Sequence, residues 1–232
     1  MASVVDSIRS VYQDNFALLK LGFFSYIIYL IVNMIVPSDT FNFINFILCF
    51  ILFYIFLGYC CIIMSNRINQ RIETLPKFDP ITFFNVATKA LLISIPFLII
   101  GYFVVNFVVG LFNFEGVPQL IAIWIIRFFI FAILITALIN FSEKYELKAG
   151  FNASSIVAGV ADVLVYTILC LIIIAIYSIF IALPTLYLIY NFFEIGPLFK
   201  YVAVFFVIMN LTFMSDYWGQ LHFDIESKNN YY

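Results

Sequence analysis

Six long apolar runs constrain this chain more than any other feature of its sequence. Five of them carry no charged residue, and one is interrupted only by Arg127. The runs are residues 21–38, 40–66, 90–114, 116–142, 163–193 and 201–215. Because a helix crosses the roughly 30 Å hydrocarbon layer of a bilayer in about 20 apolar residues, we expect six transmembrane helices. Their expected positions are residues 17–36, 42–64, 86–112, 119–141, 156–183 and 198–216.

Composition excludes the other main classes of protein. The hydrophobic fraction is 65% and the charged fraction is 10%, whereas soluble domains are about 45–50% apolar and about 25% charged. Intrinsic disorder needs low hydrophobicity. A nucleic-acid-binding protein needs a basic patch, and the net charge here is −2. The sequence therefore predicts an all-α polytopic membrane protein, with residues 1–232 in a single integral membrane domain.

Lysine and arginine are distributed unequally between the two sides of the predicted helices. Of the 11 basic residues, nine fall on one side, Lys200 falls on the other, and Arg127 lies within a span. The nine are Arg9, Lys20, Arg67, Arg71, Lys77, Lys89, Lys144, Lys148 and Lys228. Cytoplasmic loops of membrane proteins are enriched in Lys and Arg. We therefore expect a cell-membrane protein with both termini cytoplasmic, in which residues 217–232 form a cytoplasmic tail.

The first 20 residues carry apolar side chains at helical spacing. The apolar positions are Val4, Val5, Ile8, Val11, Tyr12, Phe16 and Leu19, and the polar residues Asp6, Arg9, Gln13 and Asp14 lie mainly opposite them. This pattern predicts an amphipathic interfacial helix over residues 1–20. A tail without fixed structure is the alternative.

One apolar run is too long for a single span. The 31 uncharged residues 163–193 would extend about 46 Å as one helix. Proline lacks the N–H that continues a helix. We therefore expect a break near Pro184, followed by an aromatic segment at the interface.

Short motifs recur at the ends of the predicted helices. Outward-going helices begin near an asparagine beside an aromatic residue, and returning helices end near a serine. These positions are Asn15, Asn85 and Asn152, and Ser65, Ser142 and Ser215. The outer turns at 114–118 and 193–197 also resemble each other. The matches predict three helical hairpins inserted in the same sense, an arrangement that some transporters share. Chance is the alternative, since every membrane hairpin needs polar turn residues.

A further pattern lies in the middle of the chain. Gly58-Tyr59 is followed by Arg67 and Arg71, then by Leu-Pro-Lys-Phe-Asp at 75–79, and Gly219-Gln220 lies near the end. This pattern resembles a family of uncharacterised six-span membrane proteins of bacteria and archaea, in which Gly-Tyr, a basic loop and Leu-Pro with an aromatic and an acid recur. The resemblance implies a helical six-span fold and a bacterial or archaeal membrane, and it implies no reaction.

The residues that intramembrane enzymes need are sparse. The one histidine, His222, supplies neither an HExxH motif nor a triad within the membrane. An aspartyl protease needs two aspartates inside the membrane, and only Asp162 qualifies, since Asp216 lies at the very end of a predicted span. Four cysteines without Cys-x-x-Cys spacing favour packing. His222 with Asp224 and Glu226 would make only a weak metal patch, and a solvated tail is favoured there. We expect no enzyme, no cofactor and no metal.

Two ionisable residues lie inside predicted spans more than a turn from either end, and they form the candidate intramembrane polar site. Arg127 lies about 12 Å from the outer edge and Asp162 about 9 Å from the cytoplasmic edge. Arg127 either extends outward to Glu115 or Glu194, or lines a cavity and binds an anion or a lipid headgroup. Asp162 either bonds to a neighbouring helix or binds a proton or cation.

These observations favour a non-enzymatic integral membrane protein that binds lipid or a partner. Expected partners are the bilayer and a protein partner or second copy of the chain, with no nucleic acid. The alternative is a small transporter or channel-like protein with a site between hairpins. That alternative requires Arg127, Asp162 or the span asparagines to meet in one cavity.

Overall fold

The computed structural model describes residues 3–14, 16–35, 42–71, 73–77, 79–112, 116–193 and 196–229, with the backbone alone at 112, 192–193 and 223–229. These ranges contain helices and no β-strand. The helices are α1 (Val4–Gln13), α2 (Ala17–Met34), α3 (Phe43–Ile68), α4 (Pro80–Phe112), α5 (Gly116–Lys144), α6 (Leu147–Gly150), α7 (Ala153–Tyr177), α8 (Leu183–Phe193) and α9 (Gly196–Asn229).

Six helical segments in the described ranges are long and apolar enough to cross a membrane. They are α2, α3, α4, α5, the continuous α7–α8 segment and α9. The expected all-α, six-span fold is therefore confirmed, and the chain is an integral membrane protein. The first residue of α4 is Pro80 rather than residue 86, because proline suits the first helical position, where its missing N–H would have no partner.

The expected break near Pro184 does not occur. A π-helical turn, Ser178–Ala182, joins α7 to α8, and the Leu183 N–H donates to the Ser178 carbonyl. A π turn shifts the pairing of backbone groups by one residue. The shift accommodates the N–H that Pro184 lacks, so the helix continues to Phe193.

The predicted tail after residue 216 is also wrong over the part whose side chains are described. Helix α9 continues to Asn229, and Tyr217, Trp218 and Leu221 are buried. The Trp218 Nε1–H donates to Thr167 Oγ1 of α7 at 3.0 Å. The polar residues here alternate with large apolar ones that pack on neighbouring helices, so polarity alone does not end this helix.

The three returning helices pack against one another at the centre of the molecule. Helices α3, α5 and α9 are in pairwise contact, while α2 packs on α9 and α3, α4 on α3 and α5, and α7 on α5 and α9. Three hairpins arranged in the same sense around one axis would have these contacts. Ser65, Ser142 and Ser215 are all buried in the returning helices.

The asparagine motifs are less regular than the serines. The Asn152 side chain caps α7, whereas Asn85 lies inside α4. Asn15 and the outer-turn residues 114, 115, 194 and 195 lie outside the described residues.

Two glycines allow the central helices to approach closely. A Cβ atom at Gly58 would lie 2.8 Å from Ala87 Cβ of α4, and one at Gly219 would lie 2.8 Å from Arg67 Cβ of α3. Small residues at such contacts let helix backbones come together in a membrane. The buried core therefore lies in the C-terminal halves of α3, α5 and α9, next to the basic loops.

The N-terminal amphipathic helix spans less of the chain than residues 1–20. Helix α1 ends at Gln13, and residues 17–20 already belong to α2. Its Val4, Ser7 and Val11 are buried, and the helix packs on α9. The alternative of an unstructured tail is therefore wrong for residues 4–13.

Candidate functional site

Arg127 lies in the half of α5 that is farther from the basic loops. Its guanidinium carbon is 6.0 Å from the centre of the Trp124 ring, within the range of a cation–π interaction. It lines a crevice of about 360 Å³ between α4 and α5, together with Tyr102 and Asn106 of α4. Among the described residues it has no hydrogen bond and no ion pair. Glu115 and Glu194, its suggested partners, lie outside the described residues.

Asp162 is half-buried in α7. The crevice that Arg127 lines takes its side chains from α4 and α5, and Asp162 is not among them. Of the small residues one turn earlier, Gly159 is buried and Ala158 is exposed. The structure therefore does not bring the two predicted site residues into one cavity.

His222 is buried rather than solvated, and its Nε2 lies 3.8 Å from Glu143 Oε2 of α5. The side chains of Asp224 and Glu226 lie outside the described residues. Within the described ranges no group of three or more His, Cys, Asp or Glu residues is placed to hold a metal ion. Cys60, Cys61 and Cys170 are buried and Cys49 is exposed, and all four are free thiols.

Sequence reasoning missed a buried polar network between α1 and α9. The Gln220 Nε2 donates to Ser7 Oγ at 2.7 Å and to Asp216 Oδ2 at 3.1 Å. The Ser3 N–H donates to Gln220 Oε1 at 2.8 Å. Asp216 Oδ1 lies 3.9 Å from Arg67 Nε of α3. These contacts attach α1 to the central helices.

A second missed cluster joins the end of α1 to the loop before α4. The Lys20 Nζ donates to Asp14 Oδ1 at 2.6 Å and to Glu73 Oε2 at 3.1 Å. The Leu75 N–H donates to the other oxygen of Asp14 at 2.8 Å. The hydrogen bond from the Lys20 ammonium lowers the pKa of the Glu73 carboxyl. The loop is thereby held against the start of α2.

This loop forms the end of an apolar groove. The groove lies between α2 and α4, has a volume of about 440 Å³, and is lined at its base by α3. Its apolar lining is Phe23, Phe24 and Ile27 of α2, Ile55 and Tyr59 of α3, and Pro80, Phe83 and Phe84 of α4. Phe24 stacks on Tyr59 with ring centroids 3.9 Å apart, which fixes one wall of the groove.

The groove changes from apolar to charged along its length. Lys20, Lys77 and Asp79 line its end near the loop, and the apolar side chains of α2 continue from there to Ile27. Lys77 is exposed and has no ion pair with a described residue. Asp79 accepts from Thr82 Oγ1 at 2.6 Å, and this bond lowers the pKa of its carboxyl.

A charged crevice of about 800 Å³ adjoins the groove. Leu75, Lys77 and Asp79 line both spaces, and Arg71 and Glu73 line the crevice. Arg71 donates one guanidinium N–H to Asn66 Oδ1 at 3.0 Å, which leaves its other donors for a ligand. A long apolar groove therefore leads into a space with two available cationic side chains.

Comparison of the chain with protein-family models, with curated proteins and with solved structures finds no match.

Part of this site was visible in the sequence. The Leu-Pro-Lys-Phe-Asp segment at 75–79 stood out as a motif, and Lys20 and Lys77 were placed on the same side of the membrane. Their convergence on one groove was missed because α2 and the loop are about 50 residues apart in sequence.

Proposed function

We propose that this integral membrane protein is non-enzymatic and binds a membrane phospholipid in the groove between α2 and α4. One observation carries the proposal: the groove is apolar along its length and ends at exposed Lys77, beside the crevice that Arg71 lines. An acyl chain would lie along Phe23 and Ile27. The phosphate would bind Lys77 and Arg71.

The phosphate contact follows from the charges at this end. The Lys20 ammonium already has two carboxylate partners, Asp14 and Glu73. Lys77 and Arg71 are therefore the side chains that can bind an added anion. Charge-assisted hydrogen bonds to phosphate are stronger than neutral ones, and arginine can form two such bonds to one phosphate.

The proposal places the groove in the leaflet next to the basic loops. By the excess of Lys and Arg on this side, that leaflet is cytoplasmic and both termini are cytoplasmic. Membership of the six-span bacterial and archaeal family, the interfacial position of α1, and descent of the three hairpins from one repeat belong to the same proposal. The repeat requires residues 12–67, 81–144 and 149–216 to superpose on their helices.

Native mass spectrometry of the detergent-purified protein tests the lipid site. Phosphatidylcholine and a diacylglycerol with the same acyl chains are added in equal amounts. We expect the phospholipid to remain bound and the diacylglycerol to dissociate, because only the former carries the phosphate. The proposal would be overturned if both lipids were retained equally or if neither were retained. A protein or a second copy of the chain that remained bound in place of lipid would indicate a different partner.

A pair of lysine variants supplies the matched control. Lys77→Gln removes the exposed cation at the groove, and we expect retention to fall about tenfold, the ratio that corresponds to about 1.4 kcal/mol. Lys148→Gln removes an exposed cation that lines neither the groove nor the crevice. We expect Lys148→Gln to retain lipid as the unmodified chain does.

A further inference from the structure

Arg127 is a membrane-embedded cation whose charge the described part of the protein does not neutralise. The crevice around it is lined by apolar side chains, by Asn106 and by Tyr102. The Asn106 Nδ2 already donates to the Tyr102 carbonyl at 2.9 Å. The interaction of Arg127 with the Trp124 ring leaves its guanidinium N–H groups without an acceptor among the residues that the structure describes. An unpaired arginine in a bilayer is costly, so an anion at this position would be bound favourably.

The position of Arg127 along α5 places its charge within the apolar layer of the membrane. Arg127 is 11 residues after Gly116, where α5 begins. At 1.5 Å per residue it is about 16 Å from that end of the helix. An arginine at this depth extends its side chain toward the nearer interface, and the bilayer thins locally around it, so a headgroup phosphate can approach the charge.

The crevice also faces outward. Its lining comes from α4 and α5 alone. Trp124, Ile125 and Phe129 on the same part of α5 are exposed. In a bilayer, such a surface contacts lipid. The molecules that can reach Arg127 from this side are therefore lipids.

We propose that Arg127 binds the phosphate of an anionic phospholipid in the leaflet opposite the groove. Arginine extends toward the interface while its stem stays in the apolar layer. It therefore pulls one lipid headgroup toward α5, with the acyl chains against the exposed apolar residues. This site is separate from the groove, and either site can fail without the other.

The tryptophans of the chain provide a direct measurement. The chain has 2 tryptophans. Trp124 is 67% exposed beside Arg127, and Trp218 is 2% exposed in the core. The protein is reconstituted in phosphatidylcholine vesicles to which a small fraction of a brominated lipid is added. The brominated lipid is either phosphatidylglycerol or phosphatidylcholine, with bromine on the acyl chains in both cases. Bromine quenches tryptophan fluorescence on contact, so the signal reports which lipid lies next to Trp124.

We expect brominated phosphatidylglycerol to reach half-maximal quenching at a mole fraction about fivefold lower than brominated phosphatidylcholine does. This ratio corresponds to a difference in binding free energy of about 1 kcal/mol. Equal quenching by the two lipids would overturn the proposal. Added inorganic phosphate should leave the preference unchanged. Loss of the preference on adding phosphate would show that a soluble anion is the ligand, which also overturns the lipid assignment.

Four variants test whether the preference arises at this site rather than from a general attraction of anionic lipid. Arg127→Gln should abolish the preference, and Arg127→Lys should retain most of it. Lys200→Gln removes the other basic residue expected on this side and should change nothing. Trp124→Phe leaves only buried Trp218 and should remove the lipid-dependent signal. A preference that survives Arg127→Gln overturns the proposal, and the wild-type comparison is decisive if a variant does not fold.

Discussion

The Lys20 Nζ lies 2.6 Å from Asp14 Oδ1, and both side chains are largely removed from solvent. The other oxygen of Asp14 accepts the Leu75 N–H. One carboxylate therefore holds together the end of α1, the start of α2 and the loop that closes the groove. The geometry of the proposed lipid site depends on this contact.

Replacing Asp14 should weaken the fold and the groove together. Asp14→Ala leaves the Lys20 ammonium with Glu73 alone and the buried Leu75 N–H without its acceptor. Breaking a buried pair by removing one partner costs about 3 kcal/mol, so we expect a clearly lower unfolding temperature in detergent. Asp6→Asn changes an exposed carboxylate of α1 and should leave the unfolding temperature unchanged. Equal unfolding temperatures for the two variants would contradict this account of Asp14.

The close contact of α3 and α9 makes Gly219 sensitive to any added side chain. A Cβ there would lie 2.8 Å from Arg67 Cβ and 2.9 Å from the Met64 carbonyl oxygen. Overpacking of this kind costs about 1–3 kcal/mol, so Gly219→Ala should unfold at a lower temperature. A Cβ at Gly110 would meet nothing within 4 Å. Gly110→Ala should be neutral or slightly stabilising, and a loss as large as that of Gly219→Ala would argue against the packing described.

Acid should weaken the start of α4. Asp79 accepts hydrogen bonds from the Ile81 N–H and the Thr82 hydroxyl, and these bonds lower the pKa of its carboxyl. A carboxyl whose folded pKa is lowered stabilises the fold above its unfolded pKa of about 3.9, and this contribution is lost as the pH falls through the folded value. We expect the unfolding temperature to fall below about pH 4, and to fall less steeply in Asp79→Asn. Identical pH profiles for the two proteins would show that Asp79 does not contribute.

An even number of spans places both termini on the same side of the membrane, and the basic residues indicate that this side is cytoplasmic. An alkaline-phosphatase-type reporter fused after Tyr232 should be inactive, because the expected C-terminus is cytoplasmic and the enzyme needs an oxidising compartment to form its disulfides. The same reporter inserted between α4 and α5 should be active. Activity at the C-terminal fusion would contradict the proposed orientation.

The sequence predicted those features that depend on local composition. The apolar runs and the sparse charges were sufficient to predict six spans, and the helical spacing of apolar residues was sufficient to predict α1. Features that depend on contacts between distant segments were not predictable. Asp216 was expected at the end of a span, yet it is buried in the middle of α9, where Gln220 donates to its Oδ2. Ser178–Ala182 carried no signal for a π turn, so Pro184 was expected to break the helix.

The same distinction applies to the candidate functional residues: some stand out in the sequence, and others come together only in the folded chain. Arg127 could be identified as a candidate from the sequence, because a charged residue interrupts an otherwise uncharged apolar run there. The groove was not recognisable, because Phe23, Ile55 and Phe83 are ordinary span residues until α2, α3 and α4 are packed together. Only the charged end of the groove, at Lys77 and Asp79, belongs to a motif that stands out in the sequence.

The most direct test of the lipid groove is photo-crosslinking with a phospholipid that carries a photoreactive group on its acyl chain. In vesicles of that lipid diluted in phosphatidylcholine, we expect the crosslinked peptides to be enriched around Phe23–Ile27 of α2 and Phe83 of α4. Ile27→Trp, which fills the groove, should remove this enrichment. Crosslinks spread evenly over the exposed faces of α5, α7 and α8, with none enriched between α2 and α4, would contradict the account.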